Sequence, residues 1–329
     1  MAQGTELFDG VAQAAVRRYS FKDDVAQLLT FSENYTYLII DPQTGAKDGV
    51  LRVSRPGYHT LLELESEMDW LRQINDYTPL LVANPLPALD GSYIQQIESS
   101  SGETCYCVIC EFLEGEAPDE NDAERLVGYF SQLGETTAYL HRQTEIWNGA
   151  ARLDRISWDY DHIIGSQGAW GPWQDFEGLT QDDRADLTRC CDVIKGRLDR
   201  YGKTSHNYGL IHADLRLANL IVDRGQVKVI DFDDCGFGWR LHDLASALSF
   251  IETSDQVAAL VNAWLDGYRN VLPFTDTDFE EIDTFIMMRR LQLTAWLASH
   301  SQSDPVKELC EGWAEGTMQL ATRYLRMFG

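Results

Sequence analysis

The chain reads as an α+β protein in two lobes. A small antiparallel-sheet lobe is expected over residues 1–110 and a larger, mainly helical lobe over 111–329. Three observations predict this. The first third carries β-type runs separated by turn residues. Most of the remainder has apolar residues at helical spacing. One isolated hairpin in the helical part, Leu220-Ile-Val and Val227-Lys-Val-Ile around Asp223-Arg-Gly, has polar residues at its open end.

A chain of 329 residues is long enough for two domains or one large bilobal unit, and 44% hydrophobic content fills a substantial core. A net charge of −25 excludes nucleic-acid binding through a basic patch. The acidity suits solubility, or attraction of a cationic substrate; both readings stay open. The opening MAQGTELFDG has no basic stretch followed by an apolar one, and no run is long and apolar enough to span a membrane. A cytoplasmic protein is expected. The seven cysteines include Cys105, Cys107 and Cys110 in a β-like run with no second ligand pair, so they read as small strand hydrophobes in a reduced protein.

In chain order, Phe8, Val11, Ala12, Ala15, Val16 and Tyr19 predict an amphipathic helix over 6–19. β-type runs at 25–31, 35–40 and 49–53 form a meander, with a turn at Asp41-Pro-Gln-Thr-Gly45. A helix follows over 60–74, where Thr60 and Glu63 make a capping box. A second hairpin pairs 92–98 with 103–112. Asn121 caps a helix running to about 143. Trp147, Trp158, Trp170 and Trp173 then cluster in a stretch that packs the surface or caps a substrate. For an amine, Trp158 with Asp159 or Asp161 would offer a π face and a charge. Helices complete the chain at 180–201, 241–250, 257–268, 276–300 and 304–327.

The chemistry gathers around the hairpin. His212-Ala-Asp214 precedes its first strand, with Asn219 five residues after the aspartate. Asp231-Phe232-Asp233-Asp234 follows its second strand. A hairpin brings its strand ends together, so these oxygens converge, which suits a hard cation such as magnesium. Asp214 stands beside them, free to act on a substrate hydroxyl.

His212-x-Asp214-x4-Asn219, the hairpin, Ile230-Asp231-Phe232 and the trailing Asp243-Leu-Ala together resemble the catalytic signature of protein-kinase-like phosphotransferases. The version is similar to the aminoglycoside phosphotransferase superfamily, which includes choline kinases, type II homoserine kinases and the bacterial stress-response kinase. Asp233 stands where protein kinases carry the glycine of Asp-Phe-Gly.

The resemblance implies a protein-kinase-like bilobal fold and the cofactors ATP and magnesium. It implies that Asp214 takes the proton of the attacking hydroxyl, that Asn219 and Asp231 hold magnesium, and that Asp233 adds a second-metal or water-mediated contact. Arg52 stands at the phosphate-binding lysine position, ahead of Lys47 as a candidate, and among Glu63, Glu65 and Glu67 the last best matches the partner glutamate. Ser32 and Asn34 lie in the turn that covers the phosphates. The backbone near Glu111 and Leu113 is the expected adenine hinge. His212 braces the loop, Asp243 ties it to the next helix, and Arg216 neutralises the transferred phosphate. His141 is a packing and hydrogen-bonding residue.

Cys235 leads almost directly into the helix at 241, leaving no platform for a peptide. The expected reaction is transfer of the γ-phosphate to the hydroxyl of a small molecule, an amino alcohol, amino acid or aminoglycoside. A protein Ser/Thr kinase like the stress-response kinase and a non-catalytic nucleotide sensor are the alternatives.

Overall fold

The computed structural model describes residues 2–21, 23–31, 34–120, 122–301 and 304–329. The chain segregates into two compact units. The first comprises Met1–Gly115, Ala151–Asp154 and Lys228–Ile230; the second comprises Glu116–Ala150, Arg155–Val227 and Asp231–Gly329.

The first unit holds α1 (Ala2–Val16), β1 (Val25–Phe31), β2 (Asn34–Ile40), β3 (Lys47–Ser54), α2 (Leu61–Tyr77), β4 (Ile94–Glu98) and β5 (Thr104–Cys110). Its five strands form one antiparallel sheet in the order β1-β2-β3-β5-β4. Alternation puts Tyr35, Tyr37 and Ile39, Leu51 and Val53, and Cys105, Cys107 and Ile109 into one core with Phe8, Val11, Ala12 and Ala15 of α1. Cys105 and Cys107 are therefore core side chains. Among the described residues, no group of three His, Cys, Asp or Glu side chains could hold a metal.

α1 stops at Val16 rather than Tyr19. The Arg18 and Tyr19 amides turn back onto Ala15 O and Val16 O, and the Tyr19 hydroxyl donates to Tyr93 O at 2.9 Å. Thr60 and Glu63 cap α2 reciprocally, as expected.

The second unit holds α3 (Ala123–Ile146), β6 (Ser157–Trp158), α4 (Tyr160–Ile163), α5 (Gln181–Tyr201), β7 (Tyr208–Ile211), β8 (Leu220–Asp223), the first two residues of β9 (Gln226–Val229), β10 (Gly236–Trp239), α6 (Leu241–Ala247), α7 (Val257–Arg269), α8 (Asp276–Ser299), α9 (Asp304–Leu309) and α10 (Trp313–Phe328). Asp122 caps α3 by accepting from the Arg125 amide; Asn121 lies outside the described residues. β8 and β9 make the expected hairpin, turning through Arg224 and Gly225 at positive φ.

Two features depart from expectation. β10 joins β6 and β7 in a three-stranded sheet, where no strand was expected between Cys235 and the helix at 241. The single helix expected over 304–327 is two helices, broken where Gly312 adopts a left-handed φ of 69°. Of the tryptophan cluster, Trp158 and Trp173 are buried and Trp170 is half-buried. α3 and α7 meet backbone to backbone: a Cβ on Gly134 would sit 1.9 Å from Trp264 O. That approach sets His141 of α3 beside Tyr268 of α7.

Candidate active site

β7 delivers the chain into His212-Ala213-Asp214, a loop bent by a left-handed Ala213. Its backbone is pinned from α6. Asp243 Oδ1 accepts from the Ala213 amide at 2.7 Å and Oδ2 from the His212 amide at 3.2 Å. Ser246 Oγ accepts from the Leu215 amide at 2.9 Å. Asp243 is completely buried. Burial by itself would raise its carboxyl, but the hydrogen bonds from His141 and from the Ala213 amide hold it low.

Because an ionised carboxylate only accepts, His141 places its Nε2–H on Asp243, at 3.0 Å, and Nδ1 accepts from the Tyr268 hydroxyl at 3.0 Å. Burial lowers the His141 pKa, so the ring is neutral. A chain of buried hydrogen bonds thus runs from α7 through α3 and α6 to the loop.

Asp214 accepts hydrogen bonds on both of its oxygens. Oδ1 accepts from Arg289 Nη2 at 2.5 Å. Oδ2 accepts from Asn219 Nδ2 at 2.7 Å and from Arg216 Nε at 3.1 Å. Asn219 Nδ2 also donates to Asp214 O at 2.9 Å. Burial would raise this carboxyl, yet Arg289 and Arg216 outweigh it, with help from His212, and hold it below the usual carboxylate range. His212 is fully buried; its Nδ1 accepts from the Asp214 amide at 3.3 Å and its ring lies 4.5 Å from that of Phe232. It therefore acts on the loop backbone.

The returning end of the hairpin carries Asp231, at a left-handed φ of 64°, then Asp233 and Asp234. Arg155 holds this segment through its backbone, donating to Asp233 O and, at 2.6 Å, to Cys235 O. Trp158 Nε1 donates to Asp234 O at 2.6 Å. Burial raises the Asp234 carboxyl well above its usual range, reinforced by the charges of Asp214, Asp233 and Asp231. These carboxylates therefore act on one another, and their mutual repulsion is what a bound cation relieves.

With the Asn219 amide nitrogen turned onto Asp214, its carbonyl oxygen is the ligating atom left to offer. A carboxamide with one or two carboxylates is a donor set suited to magnesium, which takes the rest of its shell from phosphates and water.

The first unit, taken by itself, carries a separate group. Arg52 of β3 forks onto Glu67 of α2, Nη1 to Oε1 at 2.9 Å and Nη2 to Oε2 at 2.5 Å. Asn34 is buried at the start of β2, opposite Ser54; Ser32 lies outside the described residues. The Glu111 amide donates to Asn84 O at 2.9 Å, so a ligand would meet Glu111 through its carbonyl. Leu113 follows in the half-buried stretch after β5. Lys47 sits 4.7 Å over the Phe112 ring.

Sequence reasoning missed Arg289, Arg155 and His242. Arg289-Arg290 inside the apolar run of α8 was the available signal, since arginines buried in such a face are paired. Arg290 pairs with Glu252 at 2.9 Å, as Arg289 does with Asp214. Asp159, expected beside Trp158 as an amine partner, instead caps α4 and pairs with His162 and Lys203, while Asp161 is exposed.

The profile of the phosphotransferase enzyme family matches residues 25–278. The amicoumacin kinase of Bacillus subtilis (strain 168) is 26% identical over 239 residues, covering 72% of this chain and 66% of that protein. The solved structure of a microcompartment-associated aminopropanol kinase superposes with a TM-score of 0.87 at 37% identity, covering 97% of this chain and 98% of that one. An amicoumacin kinase in complex with AMP-PNP, Ca2+ and Ami shares the fold, with a TM-score of 0.76 at 20% identity over 95% of this chain and 93% of that one.

Proposed function

The chain belongs to the phosphotransferase enzyme family, and from that premise we propose that it transfers the γ-phosphate of ATP, with magnesium, to the hydroxyl of a small amino alcohol. The observation that carries the reaction is Asp214, buried and held on both oxygens by Arg289, Arg216 and Asn219. The acceptor class is supported by full-length similarity to an aminopropanol kinase. It is also supported by the route after Cys235, where four residues of β10 lie in a sheet and α6 begins at Leu241, with no long segment for a peptide.

Phosphoryl transfer asks the protein for positioning and charge neutralisation more than for a strong base. Asp214, held low by its donors, orients the acceptor hydroxyl and takes its proton as the phosphate is accepted. Arg216, partly exposed beside Asp214, offsets charge on the transferred group. Asn219 Oδ1 and Asp231, with Asp233 behind them, would hold magnesium. Bound there, the ion would supply charge neutralisation on the phosphates. In the first unit, Arg52, steadied by Glu67, would hold nucleotide phosphate. Asn34, the Glu111 carbonyl and the Leu113 backbone would contact the nucleotide.

The test is phosphate transfer from ATP to a panel of amino alcohols, amino acids, aminoglycosides and proteins. Asp214→Asn should lose about 10³-fold in kcat while the melting temperature stays within a few degrees. Parental turnover in that variant would remove Asp214 from the reaction, and transfer to proteins alone would overturn the acceptor class.

A further inference from the structure

His242 begins the second residue of α6, immediately before Asp243, and the reaction as described leaves it without a task. Its ring is completely buried, and neither Nδ1 nor Nε2 has a hydrogen-bond partner among the described residues. A buried polar group left unpaired loses its hydration without a replacement hydrogen bond, which destabilises the fold. Such groups are rare in folded proteins and call for a ligand, a water or a functional reason.

The surroundings of His242 are those of the reacting carboxylate. The Trp158 ring is stacked on it, centroids 6.4 Å apart and planes 15° from parallel. Trp158 lies 6.1 Å from Trp170. The Arg289 guanidinium sits over the Trp170 ring at 5.4 Å, and the same guanidinium holds Asp214 at 2.5 Å. A continuous set of contacts therefore runs from His242 through two indoles and an arginine to Asp214, all within the second unit. The charges of Arg289 and Asp214 both reach the imidazole.

This wall has a definite chemical preference. Indole faces attract organic cations. Arg289 repels a cation here, and the carboxylates of Asp243 and Asp214 oppose that repulsion. Burial, and then Arg289, push the His242 pKa down to about 3, so the ring stays neutral and keeps one nitrogen as an acceptor. A neutral acceptor nitrogen beside π faces suits a donor-rich cation, and a primary ammonium is one.

We propose that His242 recognises the acceptor, taking a hydrogen bond from the ammonium group of an amino alcohol whose hydroxyl meets Asp214, with Trp158 and Trp170 as the flanking walls. The inference rests on the amino-alcohol reading of the activity and assigns that reading a residue.

The experiment compares the parent with His242→Phe, which keeps a ring against Trp158 and removes both nitrogens, and with His242→Gln, which restores an acceptor. An aminopropanol and the same alcohol without its amine are the probes. Calorimetric binding in the absence of nucleotide is read alongside steady-state kinetics. In His242→Phe the aminopropanol KM and Kd should rise about tenfold or more, with kcat and the ATP KM within twofold and the melting temperature unchanged or higher. The preference for the amine-bearing alcohol should shrink, and His242→Gln should recover part of it.

An unchanged aminopropanol Kd in His242→Phe overturns the inference, as does a lowered melting temperature with unchanged KM, which would make the residue structural. A parent that binds no aminopropanol overturns it too, and the nitrogens then face a buried water only. Binding that depends on His242 without any phosphate transfer supports the inference while rejecting the proposed reaction.

Discussion

Two arginine–carboxylate pairs, one in each unit, are built on opposite plans. Arg52 gives two nitrogens to the two oxygens of Glu67, a closed pair whose members are 15 residues apart. Arg289 gives one nitrogen to Asp214, 75 residues away, and divides the others between Ser249 and Gln292. Asp214 in turn shares its oxygens among three donors. The closed pair holds one cation in one place. The shared node sets the charge state of a carboxylate and ties it to α8 and, through Arg289, to Ser249 beyond the end of α6. Breaking the first should therefore cost ligand affinity, and breaking the second should cost both turnover and folding.

The largest effect is expected at the node. Arg289→Ala should lower kcat by about 10²-fold and stability by about 3 kcal/mol, because it leaves Asp214 short of a buried partner. Arg289 favours the ionised form of Asp214, so its loss raises that pKa and moves the acid limb of the kcat–pH profile to higher pH. Kinetics across pH and denaturant unfolding check both parts; an unmoved acid limb would show that Arg289 serves packing alone.

A smaller effect separates the paired node from the unpaired ring beside it. His242 has a folded pKa of about 3 against an ordinary 6.5, so the unfolded chain binds the extra proton between those values. Stability therefore falls as pH drops through that window, by up to about 1.4 kcal/mol per pH unit from this group. His242→Phe should flatten the slope between pH 6 and pH 4. Asp214 and Asp243 act lower: their depressed pKa values give stability that is lost as pH falls through them. Parallel slopes in the two proteins over the upper window would refute the assignment to His242.

The smallest effect belongs to the closed pair. Glu67→Gln should raise the ATP KM several-fold with kcat little changed and stability lowered by about 1 kcal/mol, since Arg52 retains partial access to water. A kcat loss as large as that of Arg289→Ala would erase the contrast between the pairs.

Local signals were well expressed. The capping box at Thr60 and Glu63, the meander from Val25 to Ser54 and the hairpin at Leu220–Val229 depend on neighbours in sequence, and they appear as read. The Arg52–Glu67 pair was also foreseeable, because the resemblance to kinase-like phosphotransferases implies a strand cation paired with a glutamate of the next helix. β10 was not: two glycines in Gly236-Phe-Gly-Trp239 mask a strand whose pairing comes from β6 and β7. Nor was the break at Gly312, since an apolar face continues on both sides of it.

Of the chemistry, the sequence by itself determined that Asp214, Asn219 and Asp231 lie within one loop and at the end of one hairpin, a cluster along the chain that follows from connectivity. The tertiary structure alone decided what surrounds that cluster. Arg289, His242 and Trp158 arrive from α8, α6 and β6, and their meeting depends on how those elements pack. Spacing along a chain encodes contacts within a turn or a hairpin. It does not encode which buried arginine finds which carboxylate, or which buried imidazole is left without a partner.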